Sequence, residues 1–428
     1  MTQPAGRAPE GKAERPAAGP PMVPGRKVKA RMFRLFGPAF VAAVAYVDPG
    51  NVAANLTAGS RYGYMLVWVL VLANAMAVLV QYLSAKLGIA TGRSLPQMLA
   101  ARLRPWARYV YFGQAEVIAI ATDLAEVIGG ALALYLLFGL PLLLGGLITG
   151  IVSLGVLMIQ TRRGQRSFEL VITGMLVIIT VGFVSGLAIS PVNPAEMLAG
   201  LAPRFQCVDS VLLAASMLGA TVMPHAVYLH SSLTRDRHGH VSDPAKRRHL
   251  IRATRWDVLC ALVVAGSVNI AMLVLAAANL RGVDGTDSIE GAHQAITQYL
   301  GPTVGVVFAI GLLFSGLAST SVGSYAGAEI IYGFLGRRPP VLVVRAVTLV
   351  PALIVLAFAV PPSWALVISQ VILSFGIPFA IIPLVWLTGR RQVMGDAVNA
   401  RLTQTAAWAT TALIVALNLA LIYLTIWA

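Results

Sequence analysis

Charge is what this sequence has least of. Asp, Glu, Lys and Arg make up 11% of its 428 residues, against 57% apolar residues. A water-soluble globular chain carries about 25% charged residues. The shortage excludes such a chain, and with it the alternation of amphipathic helices and short strands of a soluble α/β enzyme. Acids are scarcer still, 17 against 32 Lys and Arg, so any acid inside an apolar run stands out. Cysteine is nearly absent: Cys207 and Cys260 are the two, too few for a disulfide framework. They fall at opposite ends of membrane-length segments, roughly a bilayer apart and beyond the ~7 Å a disulfide tolerates.

What is present is apolar sequence in runs of about 20 residues, recurring from end to end. The spacing predicts an all-α polytopic membrane protein with about eleven transmembrane helices, near 36–60, 65–90, 107–138, 140–160, 168–189, 210–234, 257–279, 303–328, 341–360, 364–388 and 405–427. Residues 1–32, rich in Pro, Ala, Gly, Arg and Lys without apolar periodicity, read as a disordered basic cytoplasmic arm, and 33–428 as the transmembrane domain. No signal peptide is expected: Arg26, Lys27, Lys29, Arg31 and Arg34 precede the first span, as a retained cytoplasmic N-terminus requires. In that orientation only Arg61, Arg204 and Arg281 among all Lys and Arg face outward, and the opposite orientation would reverse the imbalance. The expected placement is multi-pass in the cell inner (plasma) membrane, N-terminus cytoplasmic and C-terminus outside.

The net charge of +15 follows from the same asymmetry. "RDRHGH" and "KRRHL", between spans six and seven, are juxtamembrane runs that retain loops inside and contact anionic membrane lipid, so no nucleic acid partner is expected. His238, His240 and His249 in that segment read as solvated loop residues.

The first span contains "AYVDPGNVAAN", residues 45–55. Pro49 has no N–H and Gly50 tolerates unusual dihedrals, so the helix should break there into two halves. The break frees backbone carbonyls at the midplane beside the Asp48 carboxylate and the Asn51 amide, an oxygen-rich site for a cation that hydrocarbon would otherwise forbid. Span six repeats the pattern in "MLGATVMPHAVYLHSS", where Met223, Pro224 and His225 sit about midway. Two broken helices five spans apart predict an inverted repeat, spans 1–5 and 6–10, with its site at the repeat interface and span eleven as an appendage.

"DPGN" in span one with "MPH" in span six resembles the paired signature of the Nramp divalent-metal transporters. The resemblance extends to "QAEVIAIATDLAEVIGGA", "GATVMPHAVYLHSSL" and "SQVILSFGIPFAIIPL", and covers the chain from span one onward. It implies a leucine-transporter-like fold with unwound spans 1 and 6. It also implies proton-coupled import of Mn²⁺ or Fe²⁺, and also Cd²⁺ and Co²⁺, by alternating access. The chain would be a secondary active transporter, not an enzyme, with the metal as transported substrate and no cofactor. By the same resemblance Asp48, Asn51 and Met223 are metal ligands, the carbonyls of Ala45 and Ala220 join according to conformational state, and Gln370 and Asn269 line the pathway. A thioether agrees with that cargo: Ca²⁺ and Mg²⁺ want hard oxygens, whereas softer transition ions accept sulfur.

Protons need groups of their own. Glu116, Asp123 and Glu126 of span three, at offsets of seven and three, share one helical face. The stripe is placed to lead a proton from Asp48 inward. His225 and Arg345 are the candidate partners of these acids, and relatives carry adjacent basic residues where this chain has Val344 and Arg345. His225 either tunes the proton step or forms a hydrogen bond in the core. Gly129, Gly130 and Ala131 suit close helix packing, and "NLT" at Asn55, inside a span, is no glycosylation acceptor.

Other classes fit less well. An intramembrane aspartyl protease pairing Asp48 with Asp123 lacks a second glycine-flanked aspartate within a span, since "GVDG" at Asp284 falls in an outer loop. A sodium-coupled amino-acid symporter would gain nothing from an anionic Asp48 at its carboxylate-binding half-helix. A metal channel or uniporter without obligatory proton coupling remains the alternative.

Overall fold

The computed structural model describes residues 37–239 and 241–427. The arm expected over 1–32 and His240 lie outside the described residues. Among the described residues every regular element is helical.

Span one is two helices, α1 (Pro38–Val44) and α2 (Pro49–Tyr62), joined by a 3-10 turn over Ala45–Val47. After a second 3-10 turn at Gly63–Leu66 come α3 (Val67–Thr91), the short α4 (Leu95–Ala100) and the long α5 (Pro105–Phe138). Helices α6 (Leu142–Arg163), α7 (Gln165–Val184) and α8 (Pro194–Ala199) follow. Span six is again split, into α9 (Val208–Thr221) and α10 (Pro224–His238). The rest is α11 (Pro244–Asn279), α12 (Ile289–Leu300), α13 (Pro302–Leu335), α14 (Val341–Ala357), α15 (Pro362–Thr388), α16 (Arg391–Met394) and α17 (Arg401–Trp427).

Among the described residues nine helical stretches are long and apolar enough to cross a bilayer, the first running Pro49–Thr91 through the Gly63–Leu66 turn. The shorter apolar helices Pro38–Val47 and Leu342–Ala357 supply the remainder, so each of the eleven expected runs is helical. The boundaries differ where polar residues extend a helix past the bilayer. α11 starts at Pro244, ahead of the expected 257, because Asp243 caps it by accepting from Ala245 N at 2.9 Å. α12 was not legible as a span because it is amphipathic, burying Ile289, Ala292, Ala295 and Ile296 along one face.

α5 and α13 form the centre of the bundle and pack along one another. A Cβ at Gly316 would stand 2.7 Å from the Gly130 nitrogen, so a side chain there would force the two helices apart. Of the apolar windows, α5 is the most buried at 83% and α17 the least at 28%, which fits a central scaffold and a peripheral appendage. α11 packs on α2 and α3, and α10 on α3. The two broken helices are thereby enclosed by α3, α5, α11 and α13.

Most Lys and Arg gather at one end of the bundle, here called the basic end. There Asp257 of α11 accepts from Gly37 N and Ala39 N, both at 3.2 Å, capping the first turn of α1. Glu169 of α7 forms ion pairs with Arg237 of α10 and, at 3.3 Å, with Arg166. The basic ends of both broken spans are tied to unbroken helices. Cys207 and Cys260 are both free and exposed.

Candidate functional site

The chain leaves helical geometry at Asp48 (φ −77°, ψ 165°), one residue before Pro49, whose missing N–H makes it a favourable first residue for α2. The Asp48 carboxylate caps that helix, accepting from Gly50 N at 3.3 Å and Asn51 N at 3.0 Å, and is 1% exposed. The Asn51 amide donates both to Asp48 Oδ1 and, at 3.2 Å, to the carbonyl of Ala220 in α9. One side chain thus joins the two breaks. The Pro49 ring lies against Gly129 of α5, where a Cβ would collide with it. Close packing, as expected of Gly129, is what seats the break.

The carbonyls of the unwound turn are unequally engaged. Asn269 Nδ2 donates to Tyr46 O at 2.8 Å and is itself held by Asn55 Nδ2, at 2.8 Å to Asn269 Oδ1. Ser315 Oγ of α13 donates to Val47 O. Among the described residues no side chain bonds the Ala45 carbonyl. In span six Val222 (φ −105°, ψ 85°) and Met223 (φ −83°, ψ 124°) are extended before Pro224, and no side chain caps α10. Met223 is fully buried, in the same apolar cluster as Ala45, Tyr46 and Val47.

Gln370 of α15 completes the set. Its amide nitrogen sits where a Gly50 Cβ would be, so only glycine admits it there. Both polar atoms of the Gln370 amide are buried without a hydrogen-bond partner. Gly50 and Gln370 form the floor of a cavity of about 300 Å³ that opens away from the basic end, with Arg61, Asp287 and Glu290 among its walls. Toward the basic end, Gln81 Nε2 donates to Tyr46 Oη at 2.8 Å and Gln81 Oε1 meets His230 Nδ1 at 2.8 Å. That chain links the unwound turn to α3 and α10 on the side opposite the cavity.

The acids of α5 divide. Asp123 is bonded by Arg345 Nη1 of α14, at 2.7 Å to Oδ1 and 2.5 Å to Oδ2, and by Thr320 Oγ1. Arg345 also reaches Thr320 Oγ1 and Ser324 Oγ, each at 3.3 Å. His225 is not the partner of Asp123: its Nδ1 lies 3.5 Å from Thr122 Oγ1, and its Nε2 is buried without a partner. Glu126 is wholly buried, neither oxygen makes a hydrogen bond of standard geometry, the Ser319 hydroxyl stands beside it, and it lies within electrostatic reach of Asp48, Asp123 and Arg345. Glu116 is half-buried two turns from Asp123, roughly 10 Å along the helix, and no hydrogen bond joins it to the other acids. Beyond Arg345, Ser324 lines a second cavity of about 310 Å³ shared with Glu329 and Arg338 at the basic end.

Tyr46, Gln81 and His230 had only weak signals in the sequence. Gln81 is one of two amides in an apolar span, beside Asn74, and His230 follows His225 by five residues. Thr320 and Ser324 were hidden among the many small residues of span eight.

Among the described residues no three His, Cys, Asp or Glu side chains come together as a metal cluster. The polar groups gathered at the breaks are the Asp48 carboxylate, the Asn51 and Gln370 amides and main-chain carbonyls, with Met223 at the start of α10. Such a set suits brief passage of a dehydrated transition ion better than permanent, charge-rich binding.

The family model described as Nramp, natural resistance-associated macrophage protein-like, matches residues 39–424. A divalent metal cation transporter MntH of Mycobacterium tuberculosis is 58% identical over 392 residues, covering 92% of each chain. Its Bacillus subtilis namesake is 46% identical over 401 residues, covering 92% of this chain and 94% of its own. Among solved structures, the Eremococcus coleocola manganese transporter, in complex with an aromatic bis-isothiourea substituted compound, matches with a TM-score of 0.85. It is 30% identical, and the match covers 94% of this chain and 88% of that one. Mhp1, a nucleobase-cation-symport-1 family transporter, shares the fold at a TM-score of 0.57 and 16% identity, with 91% of each chain covered.

Proposed function

The chain belongs to the Nramp family of divalent metal cation transporters, and from that premise we propose that it imports Mn²⁺ or Fe²⁺ across the plasma membrane, coupled to protons, by alternating access. Asp48, Asn51, Met223 and the Ala45 and Ala220 carbonyls hold the ion, and Gln370 meets it at the cavity floor. The observation that carries this reading is the Asn51 bridge. One amide now satisfies both the Asp48 carboxylate and the Ala220 carbonyl, so an arriving cation would replace a donor already placed between two acceptors.

The basic end is the cytoplasmic one on this reading. The cavity ending at Gly50 and Gln370 then opens outward, while the Tyr46–Gln81–His230 chain and the Asp257 cap of α1 close the inner side. Import requires those inner contacts to part as the outer cavity shuts. Protons take a separate route. Glu126, within electrostatic reach of Asp48, Asp123 and Arg345 but bonded to none of them, gains or loses a proton without breaking an ion pair. Asp123, Arg345 and Ser324 then lead to the inner cavity of about 310 Å³. Glu116 and His225 flank this route without being bonded into it.

The test is Mn²⁺ uptake into proteoliposomes with an imposed pH gradient. Inward-directed protons should accelerate uptake, and Glu126→Gln should remove that acceleration while leaving Mn²⁺ binding in place. Uptake indifferent to the gradient in the wild type would instead favour a uniporter or channel.

A further inference from the structure

A cavity of about 680 Å³ lies at the basic end, away from the two breaks, between the turn after α3, the start of α5, α10 and the end of α13. Four arginines line it: Arg93, Arg108, Arg235 and Arg338. Among the described residues Asp236 is its one acidic lining residue, and Glu329 stands behind Arg235. Arg235 is 8% exposed. Its Nε bonds Asp236 at 2.7 Å and its Nη2 bonds Glu329 at 2.8 Å, which leaves Nη1 buried without a partner. Arg108 Nε is likewise buried and unpartnered. Tyr332 holds two of the cations in place, its ring 4.4 Å from the Arg338 guanidinium and 5.5 Å from that of Arg235.

Four guanidinium groups against two carboxylates leave two positive charges uncompensated around a hollow. Like charges gathered this closely repel one another, and buried N–H donors without acceptors add to the cost. The same field repels a divalent cation, so this cavity is no exit for the metal. An anion reverses both terms, and a planar guanidinium fork matches phosphate oxygens in pairs. A phosphate dianion carries the charge that is missing, and the volume lies in the range of small-ligand sites, about 300–1,000 Å³.

We propose that this cavity is a binding site for a phosphate group, gripped by Arg108, Arg235 and Arg338. The phosphate reaches it either as the headgroup of an anionic phospholipid or as a soluble phosphate ester. The full chain, purified in neutral detergent, should bind inorganic phosphate saturably by calorimetry at constant ionic strength. Arg108→Gln with Arg338→Gln should weaken that binding by about tenfold or more, as loss of charge-assisted hydrogen bonds implies. Arg338→Gln alone, at an exposed position, should weaken it in part and guards against a folding defect in the double variant. The source is decided in phosphatidylcholine nanodiscs with or without phosphatidic acid. If phosphatidic acid raises the unfolding temperature and displaces phosphate, the site takes a headgroup. If phosphate binds equally in both discs, it takes a soluble ester. Absence of saturable phosphate binding together with no stabilisation by phosphatidic acid overturns the proposal, as does binding of equal strength in folded wild type and double variant.

Discussion

The two breaks look alike in sequence and differ in how they are held. In span one the Asp48 carboxylate caps α2, and Asn269 and Ser315 take the carbonyls of Tyr46 and Val47. In span six nothing caps α10, and the Asn51 amide on the Ala220 carbonyl is the side-chain bond that reaches α9 across the gap. The same contrast recurs along α5, where Asp123 is locked to Arg345 by direct bonds and Glu126 has only the Ser319 hydroxyl beside it. A group already satisfied by the protein sets geometry, whereas one left unsatisfied can exchange partners during a cycle. The Tyr46 and Val47 carbonyls, the Asp48 cap and Asp123 are therefore framework, and the Asn51–Ala220 bridge and Glu126 are the parts proposed to respond.

The largest expected effect comes from the framework. Asp48→Ala removes the carboxylate proposed to hold the ion and the cap of α2, and Mn²⁺ uptake into proteoliposomes should fall by ~100-fold or more. The Pro49–Gly50 break survives the change, so the variant should still purify as a monodisperse protein. Normal uptake by it would break the comparison at its root.

Next in size is Arg345→Leu, which leaves Asp123 buried without its cation and should destabilise the protein by about 3–5 kcal/mol. Thermal unfolding in detergent measures this, with Asp123→Asn added to relieve the penalty. If the single and double variants unfold together, Asp123 was not held by Arg345.

Asn269→Ala strips a donor from the Tyr46 carbonyl and should cost about 1–3 kcal/mol. Because that bond fixes the turn beside Ala45, Mn²⁺ affinity should weaken along with stability. A loss of stability with affinity intact would make Asn269 a packing residue.

The smallest effect is expected at the freer break. Met223→Ala opens room for a water, which is an acceptable ligand for any hard cation, so Mn²⁺ uptake should persist. Exclusion of Ca²⁺ should fail, and Cd²⁺ should lose on the order of 1 kcal/mol, or several-fold, in affinity. Uptake of Mn²⁺ in competition with excess Ca²⁺ separates the cases. Equal inhibition of wild type and variant would return Met223 to packing.

Local chemistry made much of the site legible in advance. Proline beside glycine inside an apolar run can mean little but a broken helix, and an aspartate next to it is too costly in hydrocarbon to be idle. The run lengths were equally plain, because a bilayer imposes about 20 residues on each crossing. Amphipathic α12 and the polar start of α11 escaped, since neither is constrained by hydrocarbon on all sides.

By itself, then, the sequence determined that the chain crosses a membrane, where its helices lie, and where two of them break, because each of those outcomes depends on a few consecutive residues meeting a bilayer. Only the tertiary structure decided that Asp123 pairs with Arg345 rather than His225, that Glu126 makes no direct ion pair, that Glu116 is not bonded to them, and that Tyr46, Gln81 and His230 form one chain. Those outcomes depend on how each helix is rotated about its axis and how deeply it packs. Small residues such as Gly129, Gly130 and Gly316 set that rotation through contacts between segments far apart in the chain, and hydropathy does not encode it.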